Sequence, residues 1–258
     1  MEDLNGAARD VGRVSGLHWQ GVAYFCTTRQ GGASRGSYAS LNLAGHAQDD
    51  PSHVIENRRR LGFYLPAGPL WLNQVHGTHV VDADSPRDSL AAVTADAAVT
   101  ARADCVLAIM TADCLPVVMA DSRGQVLGVA HAGWRGLANG VLEHTLQCMR
   151  AKNPLATQWR AWIGPGISQP HFEVGADVFS AFVDSDPQAA AFFAEKIPHE
   201  KWLADLPGLA RHRLQQAGVR NVELSGYCTY GQPGHFYSYR REPVTGRMAT
   251  LAWLSPRP

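Results

Sequence analysis

Apolar residues gather into short unbroken runs in the middle of the chain, at 97–100, 106–110, 115–119 and 126–130, with turn-forming or acidic residues between them. Runs this short without polar alternation predict strands covered on both faces. Upstream, 22–28 has the β-branched and aromatic character of a strand and stops at Gln30-Gly31-Gly32. Residues 71–76 alternate apolar and polar, which predicts a further strand ended by Gly77.

Helical spacing marks other segments. Asp50-Pro51 opens a helix carried by Val54, Asn57, Arg58 and Leu61. Leu137, Val141, Leu142, Thr145, Leu146 and Met149 outline the buried face of a helix over 137–150. More helices are predicted over 174–182, 189–194 and 206–217, and strands over 162–167 and 222–224. Residues 1–16 are polar and Gly/Ala-rich, so a poorly ordered leader is expected before one domain over 17–258. Strands and helices mix without strict alternation. The expected class is therefore α+β, a single layered domain of mixed β-sheet with helices packed outside.

Of 258 residues, 45% are apolar, and 23 Lys+Arg balance 23 Asp+Glu. A neutral chain lacks the basic field that nucleic acid requires and the polybasic surface that binds anionic membranes. Asp104, Asp113, Asp121 and Arg123 interrupt the most apolar region, so no membrane span is predicted. Small molecules are the expected partners. Five scattered cysteines and an N-terminus without a signal-like apolar core predict reduced thiols in a cytoplasmic protein.

Three residues set a metal-competent side chain at the exit of an apolar strand: His76 before Gly77, Cys114 after Asp113, and His131 before Ala132-Gly133. Two imidazoles and a thiolate suit Zn²⁺ with an open fourth position, where a metal activates water or polarises an oxygen. Separations of 38 and 17 residues exclude a local zinc-finger cage. His79 competes with His76 for the first position. The same trio also fits a metal-free cysteine hydrolase, with Cys114 as nucleophile and His131 as its base. His18, His46, His53, His144, His199 and His212 read as ordinary surface or core histidines, and Cys105 and Cys148 as core fillers.

Asn73-Gln74-Val75-His76-Gly77, Thr111-Ala112-Asp113-Cys114-Leu115-Pro116-Val117-Val118 and Ala130-His131-Ala132-Gly133-Trp134-Arg135-Gly136 resemble the signatures of the YfiH-type family. That family is known as multicopper polyphenol oxidase or laccase-domain proteins, as peptidoglycan editing factors and as purine nucleoside phosphorylases. The similarity extends to Thr27-Thr28-Arg29-Gln30-Gly31-Gly32, Ser40-Leu41-Asn42-Leu43, Glu56-Asn57-Arg58, Asp96-Ala97, Gly164-Pro165-Gly166-Ile167, Tyr239-Arg240-Arg241 and Gly246-Arg247. The resemblance implies a single α+β domain with metal ligands at His76, Cys114 and His131. It also implies phosphorolysis of adenosine, inosine and methylthioadenosine, deamination of adenosine, copper-dependent phenol oxidation, or a part in keeping peptidoglycan composition correct.

The residues weigh these chemistries differently. A multicopper oxidase needs several copper centres and His-x-His pairs, whereas this chain has 11 histidines and no such pair. Copper in the His/Cys site remains the alternative to zinc. Deamination needs hydroxide at C6 of adenine and an acid–base partner. Asp113 is the nearest carboxylate in sequence, and it reads equally well as a turn cap. Phosphorolysis needs an anion held beside C1′ of the ribose, for which guanidinium forks are suited. Arg29, Arg58 and Arg135 are the candidates, with Asn42 and Gln74 for ribose hydroxyls. The expectation is a zinc-dependent purine nucleoside enzyme with His76, Cys114, His131 and Arg58 as catalytic residues. Asn42, Gln74, Arg29 and Arg135 would bind its nucleoside and phosphate.

Overall fold

Two sheets stacked face to face take up the apolar runs. The computed structural model describes residues 10–86 and 93–255. The first sheet has the order Arg13–Val14, Val22–Thr27, Met248–Leu254, Val106–Thr111 and Pro69–Leu70, antiparallel except for the last pair. The second has the order Asn221–Leu224, Trp159–Ile163, Leu115–Asp121, Leu127–Ala132, Ala97–Thr100 and Val80–Asp82. Its centre is antiparallel and its two outer pairs are parallel. The architecture is α+β with mixed sheets, as the pattern predicts.

The alternation of side chains along each strand assigns them to layers. Between the sheets, Tyr24, Cys26, Leu107, Ile109 and Ala252 share one core with Val118, Ala120, Leu127, Val129 and Trp162. On the far side of the second sheet, Leu115, Val117, Met119, Ala130 and Ala132 join the buried faces of helices Val141–Lys152 and Leu206–Gln216. On the far side of the first sheet, Phe25, Val106, Ala108, Met110 and Leu251 are covered by Leu41, Leu43 and Leu61, the last from helix Pro51–Gly62. The central strands thus have no solvent face. That accounts for the unbroken apolar runs in strands that are antiparallel.

Several segments depart from the pattern reading for local reasons. In 71–76 only Leu72–Asn73 forms a ladder, in parallel with Val93–Thr94. The N–H groups of Val75, His76 and Gly77 donate to the Asp96 carboxylate instead. The helix over 137–150 is divided at Gly140, whose φ of 91° suits a residue without Cβ, into Trp134–Ala138 and Val141–Lys152. The 162–167 strand lies earlier, at Trp159–Ile163, because the chain turns away at Gly164-Pro165-Gly166. In 174–182, Glu173–Gly175 pairs with strand Lys201–Ala204 before helix Ala176–Val183 begins. The 189–194 segment is a 3₁₀ turn, Pro187–Phe192, that passes into strand Phe193–Ile197 of the same small sheet.

Of the leader expected through residue 16, residues 1–9 lie outside the described residues. Arg13–Val14 already pairs with Cys26 and Thr27, and Val11 is buried against the first sheet. Among the described residues no helix is long and apolar enough to cross a membrane. Trp162 is fully buried between the sheets, 5.3 Å from the Tyr24 ring by centroids. Trp162→Ala is expected to lower stability by about 3–5 kcal/mol, read as an earlier urea midpoint with an unchanged slope.

Candidate active site

The site forms at one rim of the sandwich, where the chain passes between sheets. Strand Val106–Thr111 of the first sheet leads through Ala112-Asp113-Cys114 into strand Leu115–Asp121 of the second. Asp113 has φ 95°, a left-handed conformation that is costly for a residue with a side chain. The turn is held from three directions. Asp113 Oδ1 accepts from Thr229 Oγ1 (2.7 Å), Oδ2 from the Arg240 N–H (2.7 Å), and its carbonyl from the Ile167 N–H (2.8 Å). With both oxygens engaged, Asp113 fixes the turn rather than presenting a free acid or base.

His76 is also left-handed, at φ 61°. Around it the N–H groups of Val75, His76 and Gly77 all donate to Asp96, at 3.1, 2.9 and 2.7 Å. The carboxylate is fully buried and also accepts from Nδ1 of His131 at 2.8 Å. This bond leaves Nε2 of His131 as the nitrogen turned to the site. Burial alone would raise the Asp96 pKa, but the His131 hydrogen bond and the backbone donors bring it below its ordinary value.

His76, Cys114 and His131 therefore converge, with one ligand atom of each within 4.8 Å of the others. Cys114 Sγ stands 3.8 Å from His76 Nε2, and the two imidazoles meet edge to face at 4.7 Å between centroids. Ligand atoms on a tetrahedral zinc lie roughly 3.3–3.8 Å apart, so the pair containing Cys114 and His76 already has that spacing. Gly133 is needed here. A Cβ on it would stand 2.8 Å from the His76 ring and 3.0 Å from Cys114 Sγ. The donor set and the carboxylate behind His131 both suit a catalytic metal with an open position. His79 stays outside the cluster, and its carbonyl accepts from the N–H groups of Asp96 and Ala97.

A cavity of about 510 Å³ opens over the trio, within the size range of small-molecule sites. Its walls include Gln74, Arg135, His46, Phe172, Tyr239, Arg240 and Arg247. Gln74 faces the cavity, but both ends of its amide bond the Met110 backbone, at 2.8 Å each. Arg135 lies with its guanidinium 4.5 Å over the Trp134 ring. The structure does not bring Arg29, Asn42 or Arg58 into the cavity wall. Arg29 donates to the carbonyls of Ala39 and Pro233. Asn42 is wholly buried and bonds Ala44, Asp49 and the Arg247 N–H. Arg58 donates to the Leu43 carbonyl and stacks 4.4 Å over Trp71. In the wall stand residues that the sequence reading passed over: His46, Arg240 and Arg247.

Residues 23–255 match the family model described as multi-copper polyphenol oxidoreductase laccase. The chain belongs to this YfiH-type family. It is 46% identical over 238 residues to an Escherichia coli protein named purine nucleoside phosphorylase YfiH, covering 91% of this chain and 95% of that one. A Pseudomonas aeruginosa relative, also named a purine nucleoside phosphorylase, is 45% identical over 228 residues, 88% of this chain and 91% of its own. A solved Neisseria meningitidis protein superposes with a TM-score of 0.86 at 43% identity, covering 96% of this chain and 100% of that chain. YlmD from Geobacillus stearothermophilus superposes at 0.84 with 29% identity and the same coverage.

The YfiH-type trio is also distinctive electrostatically. Burial would raise the Cys114 thiol, but the charge on His131 and hydrogen bonds from both histidines outweigh it and hold the pKa at about 6. Burial would lower His131, but the Cys114 thiolate and Asp96 raise it to about 9. Cys26, buried without such partners, is pushed up to about 12. In chelator-treated protein, alkylation of Cys114 read by peptide mass spectrometry is expected to be half-maximal near pH 6. Below that pH the thiolate is protonated and the rate falls. A half-maximum in the ordinary thiol range would reject the ion-paired trio. Asp96→Asn, which replaces the anion behind His131 by a neutral amide, is expected to weaken zinc affinity about 10–100-fold in a chelator competition.

Proposed function

We propose that this chain is a metal-dependent purine nucleoside phosphorylase, cleaving adenosine, inosine and methylthioadenosine, and that the same site deaminates adenosine. One observation carries the reading: a His-Cys-His donor set with an open side forms the floor of a cavity walled by guanidinium groups and aromatic rings, in a close relative of proteins bearing that name. His76, Cys114 and His131 would hold the metal, with zinc favoured over copper because two imidazoles and a thiolate with an open side are a donor set that suits catalytic zinc. When bound, the metal supplies a Lewis acid that polarises an oxygen or activates water.

The chain's own groups account for binding and orientation. Phe172 and Tyr239 bring aromatic rings to the wall, with Arg240 5.2 Å over the first and Arg247 5.7 Å over the second, and their apolar surface would suit a purine. Arg135, Arg240 and Arg247 give the wall a positive field suited to phosphate. In phosphorolysis a phosphate oxygen bonds to C1′ while the C1′–N9 bond breaks and the purine leaves with the electron pair and takes up a proton. Guanidinium groups keep the nucleophile at C1′ and oppose its loss to water.

A second reading is favoured by the chain of contacts from Asp96 through His131 to Cys114, which would activate a nucleophilic thiol. Phenol oxidation by several coppers has less support: among the described residues the trio is the one cluster of potential ligands. A role in peptidoglycan editing would use the same cavity on a different substrate.

The deciding experiment is a product assay on adenosine with protein of counted metal content, with and without phosphate. Adenine and ribose 1-phosphate are expected only when phosphate is present, and inosine without it. Loss of both products on chelation, and recovery with zinc, are expected as well. Activity that survives chelation but not thiol alkylation would move the assignment to the cysteine hydrolase. Absence of both products with the metal in place would reject the nucleoside reading.

A further inference from the structure

His46 and Arg247 line the cavity with the trio, yet holding a metal uses neither of them. Both are tied to Arg58 through one short segment of chain. The Leu43 carbonyl accepts from Nε of Arg58 at 3.0 Å, and the Leu43 N–H donates to the Arg247 carbonyl at 3.3 Å. Oδ1 of the buried Asn42 accepts from the N–H groups of Arg247 and Ala44, at 3.0 and 3.1 Å. The 42–46 segment is thereby fixed between the two arginines, with His46 at its end.

What the two guanidiniums touch is incomplete for a charged group. Arg58 has the Leu43 carbonyl and the face of Trp71. Arg247 directs Nη1 to the carbonyls of Thr245 and Gly246 and lies 5.7 Å over the Tyr239 ring. Among the described residues neither forms an ion pair with a carboxylate. Burial lowers the pKa of both, and both reinforce the effect of burial in lowering that of His46. Cations gathered in a half-buried corner repel one another, and a bound dianion relieves that repulsion while accepting charge-assisted hydrogen bonds. Cys114 lies within electrostatic reach of Arg247, so the corner adjoins the metal position.

We propose that His46 and Arg247 form the phosphate subsite of the cavity, with the Arg58 charge behind the 42–46 segment, and receive the inorganic phosphate that phosphorolysis consumes. The inference rests on the phosphorylase reading. Arg58, outside the cavity wall, acts through its charge and through its hold on the Leu43 carbonyl, and Asn42 is a positioning residue for the segment rather than a contact to ribose.

The test uses zinc-loaded full-length protein. With isotope-labelled histidine, the His46 ring signal is identified by its loss in His46→Gln and followed as inorganic phosphate is added. A saturable movement is expected. In kinetics, His46→Gln and Arg247→Lys are each expected to raise the phosphate KM about tenfold or more, with the nucleoside KM and bound zinc unchanged. Arg247→Lys loses carbonyl contacts and needs a thermal melt as a control for folding. His46 has no side-chain hydrogen bond to lose among the described residues. A His46 signal indifferent to phosphate, together with an unchanged phosphate KM in His46→Gln, would overturn the subsite and leave the phosphorylase standing. A saturable phosphate response in protein that forms no adenine would keep the subsite and remove the phosphorylase. Adenosine 5′-monophosphate is the second probe. If it moves the His46 signal and inorganic phosphate does not, the corner binds the phosphate of a nucleotide and the assignment to free phosphate is overturned.

Discussion

The carboxylate of Asp96 is the point on which the candidate site depends. An anion without solvent contact is tolerated inside a protein only when donors replace its lost hydration. Asp96 has four: three successive N–H groups of the 75–77 turn and the Nδ1 of His131. Its backbone adds two more ties, receiving the His131 N–H on its carbonyl and donating to the His79 carbonyl. One residue thus joins the segment that carries one imidazole to the strand that carries the other, and sets the ring orientation of the second. Cys114 approaches from the connection between the sheets, braced separately by Asp113.

Local strain and chemical purpose coincide here. His76 and Asp113, two of the non-glycine residues with positive φ, are a ligand and the neighbour of a ligand. Such conformations persist when surrounding bonds over-determine them. Asp96 does this for the first turn, and Thr229, Arg240 and Ile167 do it for the second. The site is consequently rigid before any ligand arrives, which is the condition for a metal site with an open position to keep its geometry.

The convergence of the trio was legible in the sequence because imidazole and thiolate are chemically specific groups, each set at the exit of an apolar strand. The strands were legible because burial on both faces leaves a compositional imprint. Asp96 enters the sequence reading only within the Asp96-Ala97 motif and not as a site residue, although a lone carboxylate entering the apolar Ala97–Thr100 strand was a visible signal. Its four partners come from residues that no spacing rule connects. The positions of the arginines are hard to read from sequence for a related reason. Arg29 and Arg58 lie beside recognisable motifs, but a guanidinium on a long stem can bond a nearby carbonyl as readily as a substrate. Arg247 borders the cavity because it precedes strand Met248–Leu254, and that strand's place in the sheet is a matter of topology.

The position of that strand also bears on how the protein matures. Met248–Leu254 is inserted between Val22–Thr27 and Val106–Thr111, one strand from early in the chain and one from its middle. Until residue 254 has been added during synthesis, these two strands have no common neighbour and each has an open edge. The nascent chain must therefore hold aggregation-prone edges until Met248–Leu254 emerges. The cavity is completed by the same step, since the insertion that seals the sheet also sets Arg247 in its wall.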